Sequence, residues 1–377
     1  MFAVEATRAQ VCVRSNGSAV TIRVAGREII APTTNGVAVV DLEQLHPKTN
    51  YVAQLLDSAG ESIGQLSFQT RRRFEGDTVK FATISDVHLG GEEFGGHPAY
   101  NEPPDTEPHF ALRCAAAAVR EAIEWGAEVL VIKGDLTDTG ARTDWELAHR
   151  LLDDLPIPVL STWGNHDVWK TREVNPAEME PTFALNPNSS GGSAGQVTSH
   201  DLGPTRIILA DTSVPDRGHG TIAQHEEQIL ELIDFDGPVF LGIHHNIMRT
   251  PLPWFWPPGI APSNASSLLA EIIRVNPNVF ISSGHTHRNR LHRIGPGGQI
   301  CFSEVSATAD YPGAWAGYEV SDTLLRQTVR RIAAPEALLW TERVRGAIFG
   351  VWPRWSQGRL DDRCVDMSVP IAPRSTD

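Results

Sequence analysis

The sequence predicts a layered α/β domain preceded by a small all-β domain, and a change of hydrophobic period near residue 75 carries that reading. Residues 2 to 70 alternate like half-buried strands: Val20, Ile22 and Val24 share one face, as do Tyr51, Ala53 and Leu55, with turns at Asn16-Gly17, Asn35-Gly36 and Ala59-Gly60. From Thr78 onward, short apolar runs alternate with stretches of helical spacing, the pattern of sheets covered by helices. A chain of 377 residues has room for two such domains and a tail.

Taken in order, Arg71-Arg72-Arg73 reads as a solvated hinge after the all-β part. Val79 to Ile84 is the first strand of the second domain, and the Gly/Pro-rich stretch Gly90 to Pro108 follows it as a loop. Leu112, Ala115, Val119 and Ile123 lie on one helical face, with Pro108 near the start and Gly126 past the end. Val129 to Ile132 is a strand, and Thr143-Asp144-Trp145-Glu146 reads as a capping box that opens a second helix. Strand Ile157 to Leu160 follows, then a polar loop around Asn186 to Gly195 and strand Arg206 to Leu209. A helix opens at Thr221 with Gln224 three residues on. Strand Val239 to Ile243, a helix carrying Leu268, Leu269, Ile272 and Ile273, and strand Val279 to Ile281 complete the alternation. Leu324 to Ile332 reads as a final strand, Pro335 to Gly350 as a helix and Trp352 to Ser356 as an anchor for the tail. The expected domain boundaries are 1–73, 77–333 and 334–377.

Composition excludes several classes of function. With 46 acidic against 32 basic residues the net charge is −14, which repels nucleic acid overall. Cys12, Cys114, Cys301 and Cys364 have no Cys-x-x-Cys spacing and read as thiols of a reducing compartment. Met1 to Gln10 lacks the order of a signal peptide, and no window holds eighteen unbroken apolar residues, so a cytoplasmic protein without a membrane span is expected.

In open α/β sheets ligands bind beyond the carboxyl ends of the strands, so the residues that follow each run carry the functional signal. Asp86 and His88 follow Ile84, two apart and therefore on one face of an extended chain. Gly134-Asp135 follows Ile132, Gly164-Asn165-His166-Asp167 follows Leu160, His244-His245 follows Ile243, and Gly284-His285-Thr286-His287 follows Ile281. Carboxylate, amide oxygen and imidazole are metal ligands without thiolate, a set that suits Mn, Fe, Zn or Co. Asp211, after Leu209, is expected to be an ordinary loop residue.

The blocks Asp86-Val87-His88, Gly134-Asp135, Gly164-Asn165-His166-Asp167, His244 and Gly284-His285-Thr286-His287, in this order over Thr78 to Asp322, resemble the calcineurin-like metallophosphoesterase superfamily. The resemblance implies a two-sheet sandwich flanked by helices and a centre of two divalent metal ions. Asp86, His88 and His287 would hold one ion, Asn165, His244 and His285 the other, with Asp135 between them. His166 would be the catalytic histidine that binds no metal, with Asp167 as its partner. Two divalent ions against two aspartates leave a positive pocket in an acidic chain, suited to a small phosphate ester cleaved by a metal-bridging hydroxide. Separately, Leu45 to Tyr51 with Leu66 to Thr70 resembles the fibronectin type III sandwich, whose tyrosine corner falls on Tyr51.

Within the superfamily, a tyrosine three residues after the bridging aspartate marks the purple acid phosphatases; here that place is Asp138. The Asp-x-His opening is closer to bacterial cyclic-nucleotide and glycerophosphodiester phosphodiesterases. The repair nucleases share a His-x-Asn pattern, present as His244-His245-Asn246, but the negative charge argues against DNA. A phosphodiesterase is therefore the expected function; a phosphomonoesterase and a non-catalytic, metal-stabilised interaction module are the alternatives. The loop Gly90 to Pro108, with His97, Tyr100 and His109, is a candidate cover for the site. Thr250 to Pro258, with Trp254, Phe255 and Trp256, is a candidate cleft wall or, with the N-terminal domain, a candidate surface for homo-oligomerisation.

Overall fold

The computed structural model describes residues 1–96, 99–103, 106–169, 190–191, 196–248 and 256–369. Seven strands open the chain: β1 (Ala3–Val4), β2 (Ala9–Arg14), β3 (Ala19–Val24), β4 (Arg27–Pro32), β5 (Val37–Leu42), β6 (Asn50–Leu56) and β7 (Ser62–Gln69). They pair as a three-stranded sheet β1-β2-β5 and a four-stranded sheet β4-β3-β6-β7. Alternation explains the arrangement. Val11 and Val40 of one sheet and Val20, Ile22 and Ala53 of the other share a buried core, while their sequence neighbours face outward. Tyr51 stands at the start of β6, and the main-chain N–H of His46 donates to its hydroxyl at 2.8 Å.

The second part begins with β8 (Val79–Ile84), the two-residue strands β9 (Glu93–Phe94) and β10 (Tyr100–Asn101), and α1 (Phe110–Trp125), which ends at Gly126 with φ of 100°. Then come β11 (Val129–Lys133), α2 (Arg142–Leu152), β12 (Val159–Thr162), β13 (Ser190–Gly191), β14 (Val197–Leu202), β15 (Thr205–Ala210), α3 (Glu226–Ile233) and β16 (Val239–Ile243). The chain continues through α4 (Pro262–Val275), β17 (Val279–Ser283), β18 (Arg290–Ile294), β19 (Ile300–Glu304), β20 (Ala314–Ser321), β21 (Leu324–Arg331), α5 (Pro335–Arg343), α6 (Trp352–Ser356), α7 (Leu360–Arg363) and β22 (Cys364–Ser368).

These strands form a seven-stranded sheet, β13-β12-β11-β8-β20-β21-β22, and a six-stranded sheet, β14-β15-β16-β17-β19-β18. The two pack on each other through one core that contains Phe81 and Val131 of the first and Phe240 and Phe280 of the second; Phe81 meets Phe240 edge-on at 5.0 Å and stacks on Tyr318 at 4.8 Å. Neighbouring residues of the same strands point the other way. Ala82, Ile84 and Ile132 bury against α1, α2 and α5, and Ile208, Leu241 and Ile281 bury against α3 and α4. Strands covered on both faces read as continuous apolar runs, which is why β8, β11, β16 and β17 stood out in the sequence.

Four expectations change. Leu324 to Ile332 is not the last strand, because β22 pairs antiparallel with β21, so the tail completes the sheet instead of only lying on it. The helix expected over Pro335 to Gly350 stops at Arg343 and gives way to two single 3₁₀ turns. The capping box at Thr143 does not form: α2 starts at Arg142, and the Asp144 carboxylate accepts instead from the main chain and hydroxyl of Thr139 at 3.0 and 2.8 Å. Strands β18, β19 and β20, none of them expected, fill the stretch before β21. His97, Trp254 and Phe255 lie outside the described residues.

The all-β part sits on the end of the larger one. Arg330 of β21 reaches Glu5 at 2.6 Å and Asp41 at 2.5 Å, Gln10 exchanges hydrogen bonds with the Arg331 backbone at 3.0 and 2.8 Å, and Glu342 takes both Arg14 and Arg331. Among the described residues no helix is long and apolar enough to cross a membrane, and all four cysteines are free.

Candidate metal centre

Glycine places the site by making close approach possible. A Cβ on Gly134, whose φ is 83°, would stand 2.6 Å from the Gly164 nitrogen and 2.7 Å from His244 Nδ1. One on Gly284 would stand 2.5 Å from Asp86 Oδ2. Bare backbone at these points lets the ends of β8, β11, β12, β16 and β17 converge, and both sheets deliver their terminal residues to one spot. Asp86, His88, Asp135, His285 and His287 all have φ between 50° and 67°, a left-handed conformation uncommon for non-glycine residues. Strain held at five clustered positions marks a functional site.

The seven expected ligands come together. Asp135 Oδ2 is 3.1 Å from His244 Nε2, which is 3.2 Å from Asn165 Oδ1. On the other side His88 Nε2 and His287 Nε2 face each other at 3.4 Å, and Asp86 Oδ1 lies 3.4 Å from His287 Nε2. His285 sits beside His244 with ring centroids 5.1 Å apart. Ligand atoms of Asp86, His88 and His287, and separately of Asp86, Asp135 and His244, all lie within 4.8 Å of one another. Donors about 2.1 Å from a common ion have this kind of mutual spacing.

Each ligand imidazole has a neighbour at its other nitrogen. His244 Nδ1 lies 2.9 Å from the Lys133 carbonyl, His287 Nδ1 lies 2.5 Å from Asp310 Oδ2, and His285 Nε2 lies 3.1 Å from the Pro258 carbonyl. Asp138 Oδ1 is 3.2 Å from His88 Nδ1, close enough for charge attraction though not aligned as a hydrogen bond. With an acceptor outside, each ring keeps a nitrogen lone pair for the centre. Asp86 Oδ2 is buried without a hydrogen-bond partner, the kind of atom a cation satisfies. The donor set and its orphaned oxygen therefore fit divalent metal.

His166 stands apart from the other histidines. Its ring is about a third exposed, its main chain donates to Asp135 Oδ1 at 2.8 Å, and its Nδ1 is 2.6 Å from the Asp138 carbonyl. Asp167, expected as its partner, instead accepts from the Thr137 main chain and hydroxyl and from the Gly164 N–H at 2.8 to 2.9 Å, bracing the loop from behind. Successive side chains point away from each other, so adjacency in sequence misassigned the pair. Asp138, Asp310 and the carbonyls of Lys133 and Pro258 are the site residues that sequence reasoning did not assign. Asp138 had one signal, its place three residues after Asp135; Asp310, in the loop before β20, had none. His245 puts Nδ1 2.9 Å from Thr212 Oγ1 and packs on His285, whereas His244 faces Asp135 and Asn165. Asp211 accepts from Ser213 N–H at 2.8 Å and is absent from the ligand groups.

In the metal-free protein these groups perturb one another. Burial lowers the basicity of His244, but Asp135 outweighs it and raises its pKa to about 9. Burial of His287 is likewise overcome by Asp310 and Asp86, again to about 9. His285 is pushed down to about 3 by burial and by His244. Burial raises Asp135, yet His244, His166 and His88 hold it well below the carboxylate range. Burial takes His166 below an ordinary imidazole, with Asp135 opposing.

Residues 79–289, more than half of the chain, match the family model for the calcineurin-like phosphoesterase, and the chain belongs to that family. A protein of Xenorhabdus bovienii described as a probable cyclic nucleotide phosphodiesterase is 25% identical over 169 residues, which are 44% of this chain and 62% of that relative. This chain thus spans less than two thirds of that relative. A Synechococcus protein described in the same words is 24% identical over 276 residues, 66% of this chain and 90% of the relative. Among solved structures, a purple acid phosphatase from yellow lupin seeds aligns with 89% of this chain and 72% of its own, at 13% identity and a TM-score of 0.48.

Proposed function

We propose that the chain is a two-metal phosphodiesterase acting on a small phosphodiester, a cyclic nucleotide or glycerophosphodiester being the first classes to try. The observation that carries the reading is the set of four imidazoles around three oxygen donors, three of the rings hydrogen-bonded at the outer nitrogen and His88 facing the Asp138 carboxylate there. Asp86, His88 and His287 would hold one ion and Asn165, His244 and His285 the second, with Asp135 available to both. Bound divalent ions supply Lewis acidity toward water and phosphoryl oxygen. The protein does the rest. Its carboxylates and buried imidazoles fix the donor positions, and the strained backbone holds them ready before substrate arrives. With its Nδ1–H given to the Asp138 carbonyl, His166 presents Nε2 to the site; taking up a proton from solvent there makes it an imidazolium, which passes that proton to the leaving alkoxide and returns to the neutral ring. Asp138 in the place of a tyrosine sets the centre apart from a ferric-tyrosinate one, and the names of the relatives support a diester. The free thiols suit a cytoplasmic setting.

Replacing His166 tests this directly. His166→Ala is expected to keep the wild-type metal content by elemental analysis while its turnover falls by roughly 10²- to 10⁴-fold. Wild-type protein that binds metal but turns over no phosphoester would favour a metal-stabilised interaction module instead.

A further inference from the structure

Four of the large apolar side chains exposed on the described surface fall within one short stretch: Leu339, Ile348, Phe349 and Val351, of which Phe349 is 84% exposed. The backbone at its tip is unusual. Ile348 and Phe349 have consecutive φ values of 50° and 54°, a conformation that a β-branched residue avoids. The chain therefore departs from its preferred backbone where its apolar side chains are exposed.

The charge around the tip is also out of character. In a protein of net charge −14, Arg343, Arg345 and Arg354 flank it on both sides, all exposed and, among the described residues, without a carboxylate within 4 Å. Two of the guanidiniums rest over the rings of Trp340 and Tyr311. Glu342, the one acid between Leu339 and Trp355, is buried and neutralised by Arg14 and Arg331. Exposed apolar side chains between unpaired arginines are the composition of a segment that lies in a lipid interface. The charge of the whole chain opposes such contact only weakly, because a patch within about 10 Å of a surface dominates its local field.

We infer that the tip at Ile348 to Val351 docks the protein on an anionic lipid bilayer, with Phe349 entering the acyl boundary and the three arginines meeting the headgroup phosphates. The docked segment is also coupled to the centre. Trp352, next in the chain, donates to Asp310 Oδ1 at 2.9 Å, and Asp310 holds His287. The inference does not depend on which ester the centre cleaves.

The test is co-sedimentation of the full-length, metal-loaded protein with vesicles of phosphatidylcholine alone or mixed with phosphatidylglycerol. Phe349→Asn suits a left-handed backbone and keeps the fold; Arg343→Gln with Arg345→Gln removes two positive charges. Melting temperature and turnover of a soluble diester serve as controls and are expected to be unchanged. The expected result is binding to the mixed vesicles only, weakened at least tenfold by Phe349→Asn and roughly fivefold per arginine removed. Wild-type protein that ignores both vesicles, binds both equally, or is unaffected by Phe349→Asn overturns the inference. A self-associated form that Phe349→Asn dissolves, without vesicle binding, overturns it in favour of a contact between copies.

Discussion

His244 and His287 make the metal-free protein sensitive to pH, and the sign follows from their surroundings. Both pKa values are raised from 6.5 to about 9, so their pairing with Asp135 and Asp310 stabilises the fold fully below pH 6.5 and is lost as pH climbs through 9. Lys133, buried and lowered by that burial to about 7, works in the opposite sense over part of this window, but two imidazoles outweigh one amine. The chelated protein is therefore expected to melt at a lower temperature at pH 9 than at pH 6.5, while metal affinity rises over the same interval because the ligands must shed protons. Thermal unfolding with chelator and metal titration at both pH values measure this. At the same scale, the candidate ligands were legible in the sequence because all seven stand just beyond the ends of five strands. Their outer partners were not: Asp310 is 23 positions from His287 in the chain, and only folding brings the two together.

At the scale of elements, buried strands with apolar residues on both faces announced themselves, whereas strands that carry polar or small residues did not. β20 holds Gly317 under the Trp125 ring, and β18 reads Arg-Leu-His-Arg-Ile, so neither showed the expected run. Helix ends were misjudged where a side chain found a better partner, as Asp144 did with Thr139. The β11 turn is the element on which the centre depends most. Gly134→Ala forces a Cβ against the Gly164 backbone at a φ of 83°, and the expected cost is about 2 kcal/mol or more with loss of metal. A melting temperature and metal content equal to wild type would contradict that account of the strand ends.

Across the whole molecule, the seven-stranded N-terminal part is joined to the larger one by ion pairs that cross the join, buried Arg330 with Glu5 and Asp41, and buried Glu342 with Arg14. Phe2 and Ala3 share a core with Val365 and Met367 of β22. We take residues 1–73 to be a fibronectin-like sandwich that acts as a structural brace. The intact chain is expected to unfold in one transition, and removing residues 1–73 is expected to lower its melting temperature by roughly 10 °C or more. Two separate transitions in the intact chain would mean that the parts fold independently.

A two-metal centre that prefers diesters should separate two chromogenic esters. Hydrolysis of bis(p-nitrophenyl) phosphate and of p-nitrophenyl phosphate is measured with metal-reconstituted wild type and with Asp135→Ala. Faster turnover of the diester by wild type is expected, with no turnover of either ester by the variant. A preference for the monoester, or an Asp135→Ala protein that still works, would contradict it.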